Sequence, residues 1–256
     1  MQKFNERFAE VRKKSKMTQS EVAEKLNVSF QAVSLWERGE TMPDIEKQPE
    51  IAALSDRLFD ENRMYTYVKT YATVKNMTQT MKVLPYAREL HEGQYRKGKD
   101  KVPYIYHPLL IACHGLSLGL DDDNLISTAL LHDVCEDCGV SVEELPVNEE
   151  TKTAVALLTK GTSPEAKTEE GKNRYYTAIS ENKNATIVKL LDRCNNVSGM
   201  ATAFDRKKLI EYIKETEQWF YPLLQKAKTE YPMYSNQLFL IKYHMTSVVE
   251  AIKHLL

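Results

Sequence analysis

Apolar residues in this chain recur three and four positions apart, and alternating runs of β-branched residues are almost absent. That period belongs to helices packed through one face, because such positions fall on the same side of a 3.6-residue turn. Leu, Ala, Lys and Glu dominate, and only nine glycines and nine prolines interrupt 256 residues. An all-α chain is expected. There is no internal repeat or low-complexity segment, and the length allows one large domain or a small one followed by a medium one.

Lys and Arg nearly balance Asp and Glu, for a formal charge of −1. This excludes a protein that binds polyanions with its whole surface; a nucleic acid would need a local basic patch. No stretch approaches the roughly 18 consecutive apolar residues of a membrane span. The charged opening "MQKFNERFAEVRKKSK" lacks the apolar centre of a secretory signal, so a cytoplasmic protein with no membrane partner is expected. The four cysteines (Cys113, Cys135, Cys138, Cys194) read as reduced thiols. Cys135 and Cys138 form one C-x-x-C without the second pair that a structural zinc site usually has, and read as small helix residues.

The first sixty residues have their own logic. In "MTQSEVAEKLNVSFQAVSLWERGETMPD", Thr18 and Glu21 have capping-box spacing and start a helix whose apolar face is Val22, Ala23 and Leu26. Asn27 suits a left-handed turn, Ser29 can cap the next helix, and Gly39 can end it after Ala32, Val33 and Trp36. Two short helices across a tight turn, the second with polar Gln31 and Ser34 outward, describe a helix-turn-helix. Residues 1–38 carry eight Lys/Arg against five Asp/Glu, the right sign for a phosphate-facing surface with modest, salt-sensitive affinity. The spacing "TQ..VA..L.VS.QAVS.WE.G...PD" resembles the phage-repressor (Cro/C1, or Xre) family over about residues 4–54. The resemblance implies a five-helix DNA-binding domain with Phe30, Gln31 and Ser34 near base edges and Gln19 and Arg38 near phosphates. Such modules pair across two half-sites, so a homodimer is expected. The bland alternative is a module that only dimerises or docks.

The boundary is placed at residue 60, with residues 61–256 forming a second, larger domain. Asn62 to Pro85, polar and rich in Tyr and Thr, reads as its entry helix. The last segment, "YSNQLFLIKYHMTSVVEAIKHLL", reads as an amphipathic helix that completes this domain's core or forms an interface.

Chemistry concentrates in "LLHDVCEDCG". An apolar run (Leu125, Ile126, Ala129, Leu130, Leu131) leads into His132, Asp133, Glu136 and Asp137. As one helix over 125–138, these four would lie along one side, too acidic to bury without a positive partner. A divalent metal is one such partner; an acidic, solvated helix end is the plain alternative. Two further segments favour the metal. "RKGKDKVPYIYHP" brings His107 beside Arg96, Lys97, Lys99 and Lys101, and the apolar "ATIVKLLDRCNN" delivers Asp192, with Asn196 one turn later. Two imidazoles and two carboxylates can hold one ion and leave positions for water and substrate.

This three-part pattern resembles the histidine-aspartate (HD) metallophosphohydrolases. The fuller series "GQYRKGKDKVPYIYHP", "ALLHDVCED", "LLTKG" and "VKLLDRCNN" resembles the hydrolase domain of the RelA/SpoT homologues, over roughly residues 80–225. Those enzymes remove the 3′-pyrophosphate from the guanine-nucleotide alarmones ppGpp and pppGpp. The resemblance implies an HD-domain helical bundle after the small helix-turn-helix domain. It implies metal ligands His107, His132, Asp133 and Asp192 with Mn²⁺ as the usual ion, and Glu136 and Asp137 positioning and deprotonating water. It places Arg96, Lys97, Asn196, Lys208 and Tyr212 at the nucleotide; His91 lies in the family's "H.GQ.R" lead-in and is read as a packing or hydrogen-bonding residue. Two departures stand out: "KDKV" where the family usually has a glycine before Pro-Tyr, and Cys138 where threonine is usual. The length leaves no room for the family's synthetase domain, so a hydrolase-only protein is implied. Two alternatives stay open: a regulator that only senses a nucleotide, and an HD phosphohydrolase acting on another nucleotide.

Overall fold

The computed structural model describes residues 4–43, 60–96, 102–161 and 163–256, and the chain forms two compact units, Met1–Asp60 and Glu61–Leu256. The described residues are helical, with one isolated antiparallel bridge, Tyr95 to Pro103, and no strand.

In the first unit, α1 (Phe4–Lys14), α2 (Gln19–Lys25) and α3 (Phe30–Arg38) enclose Phe8, Val22, Ala23, Leu26, Val33 and Trp36. The punctuation is local. The Glu21 amide donates to Thr18 Oγ1 at 3.2 Å and the Thr18 amide to Glu21 Oε2 at 2.6 Å, a complete capping box. Asn27 takes the left-handed turn (φ 49°), Ser29 Oγ accepts the Ala32 amide, and Gly39 closes α3 at φ 73°. The remaining two helices expected here would fall on residues 44–59, outside the described residues.

The second unit begins with α4 (Glu61–Val74) and α5 (Thr78–Leu90). The single entry helix expected over 62–85 is therefore two helices: Asn76 adopts φ 53°, which no α-helix can accommodate, and the chain turns there. Pro85 ends neither; it sits inside α5. The α5 N-terminus is capped from another element, since Asp123 accepts the amides of Gln79 (3.0 Å) and Thr80 (2.8 Å). Then follow α6 (Tyr106–Ser117), α7 (Asp123–Leu131), the one-turn α8 (Val134–Asp137), α9 (Glu149–Leu158) and α10 (Glu169–Ser180). They are succeeded by α11 (Lys183–Ala203), α12 (Arg206–Glu215), a π-helical turn over Thr216–Phe220, α13 (Tyr221–Glu230) and α14 (Ser235–Leu255).

Every residue of α7 from Leu125 to Leu131 is buried, Ser127 and Thr128 included, which makes it a central rod of the unit. It packs against α5, α6, α9 and α11. Gly115 permits the approach of α6: a Cβ there would meet Ile126 Cδ1 of α7 at 3.3 Å and Leu191 Cδ1 of α11 at 3.5 Å. The C-terminal α14 buries Leu238, Ile241, Met245, Val249 and Ile252, so its apolar face completes the core. Phe239, Leu240 and Tyr243 lie exposed on the same helix. No helix among the described residues is long and apolar enough to cross a membrane.

Candidate metal centre

The helix expected over 125–138 is broken. Regular α7 stops at Leu131, His132 stays in the right-handed region, and Asp133 (φ −106°, ψ −6°) turns the chain before α8 starts. The His132 ring reinforces the break by donating from Nδ1 to the Ala129 carbonyl at 2.8 Å. His132 is thereby buried at the end of the rod, while Glu136 and Asp137 fall on a short, exposed turn.

His107, in the first turn of α6, faces this break, its ring 5.2 Å from that of His132 and edge-on to it. One ligand atom each from His107, His132 and Asp133 lie within 4.8 Å of one another, the one such cluster of three or more among the described residues. Asp133 Oδ2 is 3.0 Å from His132 Nε2 and 3.7 Å from His107 Nε2. Asp192, midway along α11, adjoins the cluster with Oδ1 3.2 Å from His107 Nε2. All four expected ligands are thus brought together from α6, the α7–α8 break and α11.

The donor set fits a divalent cation. A carbonyl oxygen can only accept, so His132 Nδ1 carries a proton and Nε2 is the nitrogen turned towards Asp133. His107 is held the same way, its Nδ1 donating to Asn195 Oδ1 at 2.6 Å. This is the orientation that outer-shell carbonyls impose on metal-binding histidines. His132 Nε2 is moreover buried without a hydrogen bond, although Asp133 Oδ2 is near. A nitrogen and a carboxylate oxygen that converge in a buried site offer an ion a shared point. The electrostatics agree. Burial pulls the His132 pKa down, but Asp133 and Asp192 reverse this and raise it to about 9. Burial likewise penalises the Asp133 carboxylate, yet His132 holds its pKa well below the usual range. Asp192 is also lowered, with Lys189 the largest attraction opposing burial. The pocket selects for positive charge.

Around the ligands, Arg96 donates to Asn195 Oδ1 (3.3 Å) and Asn196 Oδ1 (2.8 Å), and Asn196 Nδ2 donates to Asp192 Oδ1 at 2.5 Å. Glu136 accepts the Lys160 amide, and a surface cavity beside it is lined by Cys135, Asp137, Thr159, Gly161 and Lys167. Tyr212 lies under the Arg193 guanidinium, 3.9 Å from its ring centroid. Lys208 is exposed, with Nζ 3.8 Å from Glu211, and no hydrogen bond draws it to the ligand cluster. Lys97, with Lys99 and Lys101, lies outside the described residues. His91 is buried, bonded through Nδ1 to Gln94 Oε1. The four cysteines are unpaired.

Sequence reasoning passed over four residues. Asn195 buttresses His107, and Tyr104 donates to Asp133 Oδ2 at 2.7 Å. Burial and the Asp133 and Asp137 carboxylates push the Tyr104 pKa upward, so its hydroxyl remains a donor. Lys189 is buried with Nζ 3.5 Å from Asp192 Oδ2. Arg193, 4% exposed, is clamped between Tyr212 and Phe220 and paired with Glu215. A signal was present for two of them: Asn195 lies one turn after Asp192, and Tyr104 one turn before His107.

In the first unit, Phe30 is 48% exposed and Gln31 is exposed on the same helix. Ser34 accepts from Arg38 Nη1 at 2.8 Å, and Arg38 also pairs with Glu40. Gln19 donates to Glu37 Oε2 at 2.8 Å, joining the Arg12–Glu37 ion pair.

An all-helical unit with histidines and aspartates converging at one point defines a class of metal-binding helical domains. The HD domain family matches residues 84–227, more than half of the chain, and the chain belongs to that family. A helix-turn-helix family matches residues 8–52. Among curated relatives, the guanosine-3′,5′-bis(diphosphate) 3′-pyrophosphohydrolase of Aquifex aeolicus is 33% identical over 147 residues, 55% of this chain and 20% of its own length. The bifunctional (p)ppGpp synthase/hydrolase SpoT of Escherichia coli is 27% identical over 169 residues, 62% of this chain and 23% of its own. The chain therefore spans about a fifth of the length of these relatives. A solved structure described as a metazoan ortholog of SpoT that hydrolyzes ppGpp superposes with a TM-score of 0.54 at 20% identity. That match covers 68% of this chain and 95% of the other, and shows a shared fold.

Proposed function

We propose that residues 61–256 form a divalent-metal-dependent hydrolase that removes the 3′-pyrophosphate from ppGpp and pppGpp, and that residues 1–60 form a DNA-binding unit fused to it. The observation that carries this reading is the convergence of the buried His132 Nε2 with Asp133 Oδ2 and His107 Nε2. It lies within residues 84–227, which match the HD domain family, and over half of the chain aligns with a curated guanosine-3′,5′-bis(diphosphate) 3′-pyrophosphohydrolase. Manganese is the proposed ion, the cytoplasm the proposed location and a homodimer the proposed assembly.

A divalent ion at this point supplies the Lewis acidity that makes water a usable nucleophile near neutral pH. The chain's own residues do the rest. His107, His132, Asp133 and Asp192 hold the ion, the two imidazoles presenting Nε2 because their Nδ1 protons are committed to oxygens. Glu136 and Asp137, on the exposed turn of α8, accept the proton that water gives up. Arg96, steadied by Asn195 and Asn196, is assigned to the phosphate charge, as is Lys97 by its place in the motif. Asn196, Tyr212 and Lys208 are assigned to the nucleotide. A water oxygen bonds to the phosphorus on the ribose 3′-oxygen, that P–O bond breaks, and the 3′-oxygen takes a proton. The products are GDP or GTP and pyrophosphate.

Incubation of the full chain with Mn²⁺ and ppGpp should release pyrophosphate and GDP, and Asp133→Ala should abolish turnover. Undiminished release by the Asp133→Ala protein would refute the assignment.

A further inference from the structure

Asp133 Oδ2 is the atom on which the candidate centre turns, because it approaches both histidine Nε2 atoms. An aspartate carboxylate rotates broadly about its terminal torsion, so something must select which oxygen faces the imidazoles. The hydroxyl of Tyr104 does so, donating to that oxygen at 2.7 Å. Its own position is fixed twice over. The Tyr104 amide donates to the Gln94 carbonyl at 2.9 Å, and the ring stacks on His91 with centroids 4.8 Å apart and planes 28° from parallel.

His91 is 2% exposed, and its Nδ1 donates to Gln94 Oε1 at 2.8 Å. Gln94 Nε2 in turn donates to the Asp137 carbonyl at 3.2 Å and reaches Cys138 Sγ at 3.6 Å. A closed circuit therefore runs from Asp133 through Tyr104, His91 and Gln94 to Asp137, and returns along α8. One end holds a metal-binding carboxylate; the other holds the turn that carries Glu136 and Asp137.

The geometry points to Tyr104 as a positioning residue of the metal centre: its hydroxyl aims Asp133 Oδ2 at the point shared by the imidazoles, and the His91–Gln94 brace ties that aim to α8. This rests on the reading that His107, His132 and Asp133 hold a divalent ion. Outer-shell partners of this kind change metal affinity by about 10- to 100-fold when removed.

The test is titration of the full-length protein with Co²⁺, following visible absorption and calorimetric heat, for the wild type, Tyr104→Phe and Gln94→Ala. Tyr104→Phe removes only the hydroxyl and keeps the ring on His91. It should bind Co²⁺ at least about tenfold more weakly and shift the visible band, with a melting temperature close to that of the wild type. Gln94→Ala should show a smaller change of the same sign, and it decides the matter if Tyr104→Phe fails to fold. Wild-type affinity and an unshifted band in Tyr104→Phe, or in a folded Gln94→Ala standing in for it, would overturn the proposal and leave the metal reading intact. A wild-type protein that binds no Co²⁺ would end both.

Discussion

Asn195 Oδ1 lies 2.6 Å from His107 Nδ1, so a side chain of α11 decides which nitrogen of a histidine on α6 is left bare. Replacing Asn195 with alanine frees the ring to turn or to change tautomer. The variant should bind Mn²⁺ about 10- to 100-fold more weakly in calorimetry, while its helical circular dichroism stays that of the wild type.

Arg193 is clamped between the rings of Tyr212 and Phe220 and bonded to Glu215. Arg193→Met keeps much of the volume but strands Glu215 beside an apolar wall. The expected loss is about 1.5–3 kcal/mol in denaturant unfolding, since the half-buried Glu215 loses its charged hydrogen-bond partner. An unfolding midpoint equal to that of the wild type would show that the clamp contributes nothing.

The same pair sets an acid limb to stability. Burial raises the Glu215 pKa, but Arg193 outweighs it and holds the group below its ordinary value of 4.5. A depressed folded pKa contributes stability that is present above the unfolded pKa, about 4.3, and is lost as pH falls through the folded value. Melting temperature should therefore fall as pH drops from about 5 through the folded value, and fall less in Arg193→Met, where the largest attraction lowering the pKa is gone.

In the first unit, Gln31 stands exposed beside Phe30 on α3. Once an operator is selected, Gln31→Ala should weaken its binding by about 1–3 kcal/mol and relax preference at one base pair. Affinity of the wild type should fall steeply with added salt in anisotropy titrations. Binding undiminished after removal of residues 1–55 would locate DNA recognition elsewhere.

Local chemistry was legible in the sequence; distant chemistry was not. Thr18, Glu21, Asn27, Ser29 and Gly39 declare helix ends because each acts on backbone within a few residues. His107, His132, Asp133 and Asp192 could be grouped by the chemistry of their residue types and then by a motif resemblance, but nothing in their spacing shows three elements meeting at one point. The break at His132–Asp133 escaped the reading because the helical period runs on past it. It is reinforced by the His132 ring on Ala129 and by the way Asp133 turns towards Tyr104, neither of which a period reports. The turn at Asn76 was readable in principle, as asparagine is among the few residues that enter the left-handed region. Lys189 reads as an ordinary helix lysine until Asp192 and Tyr175 are seen around it.

That break divides the ligands between two mechanical regimes. His132 ends a rod packed on every side, whereas Asp133 opens a short stretch whose last carboxylates face solvent. A cation gripping both would rivet the exposed turn to the buried rod. Amide exchange across residues 133–138 should then slow on loading while α7 hardly changes, so ordering of the reactive turn would accompany the arrival of the ion.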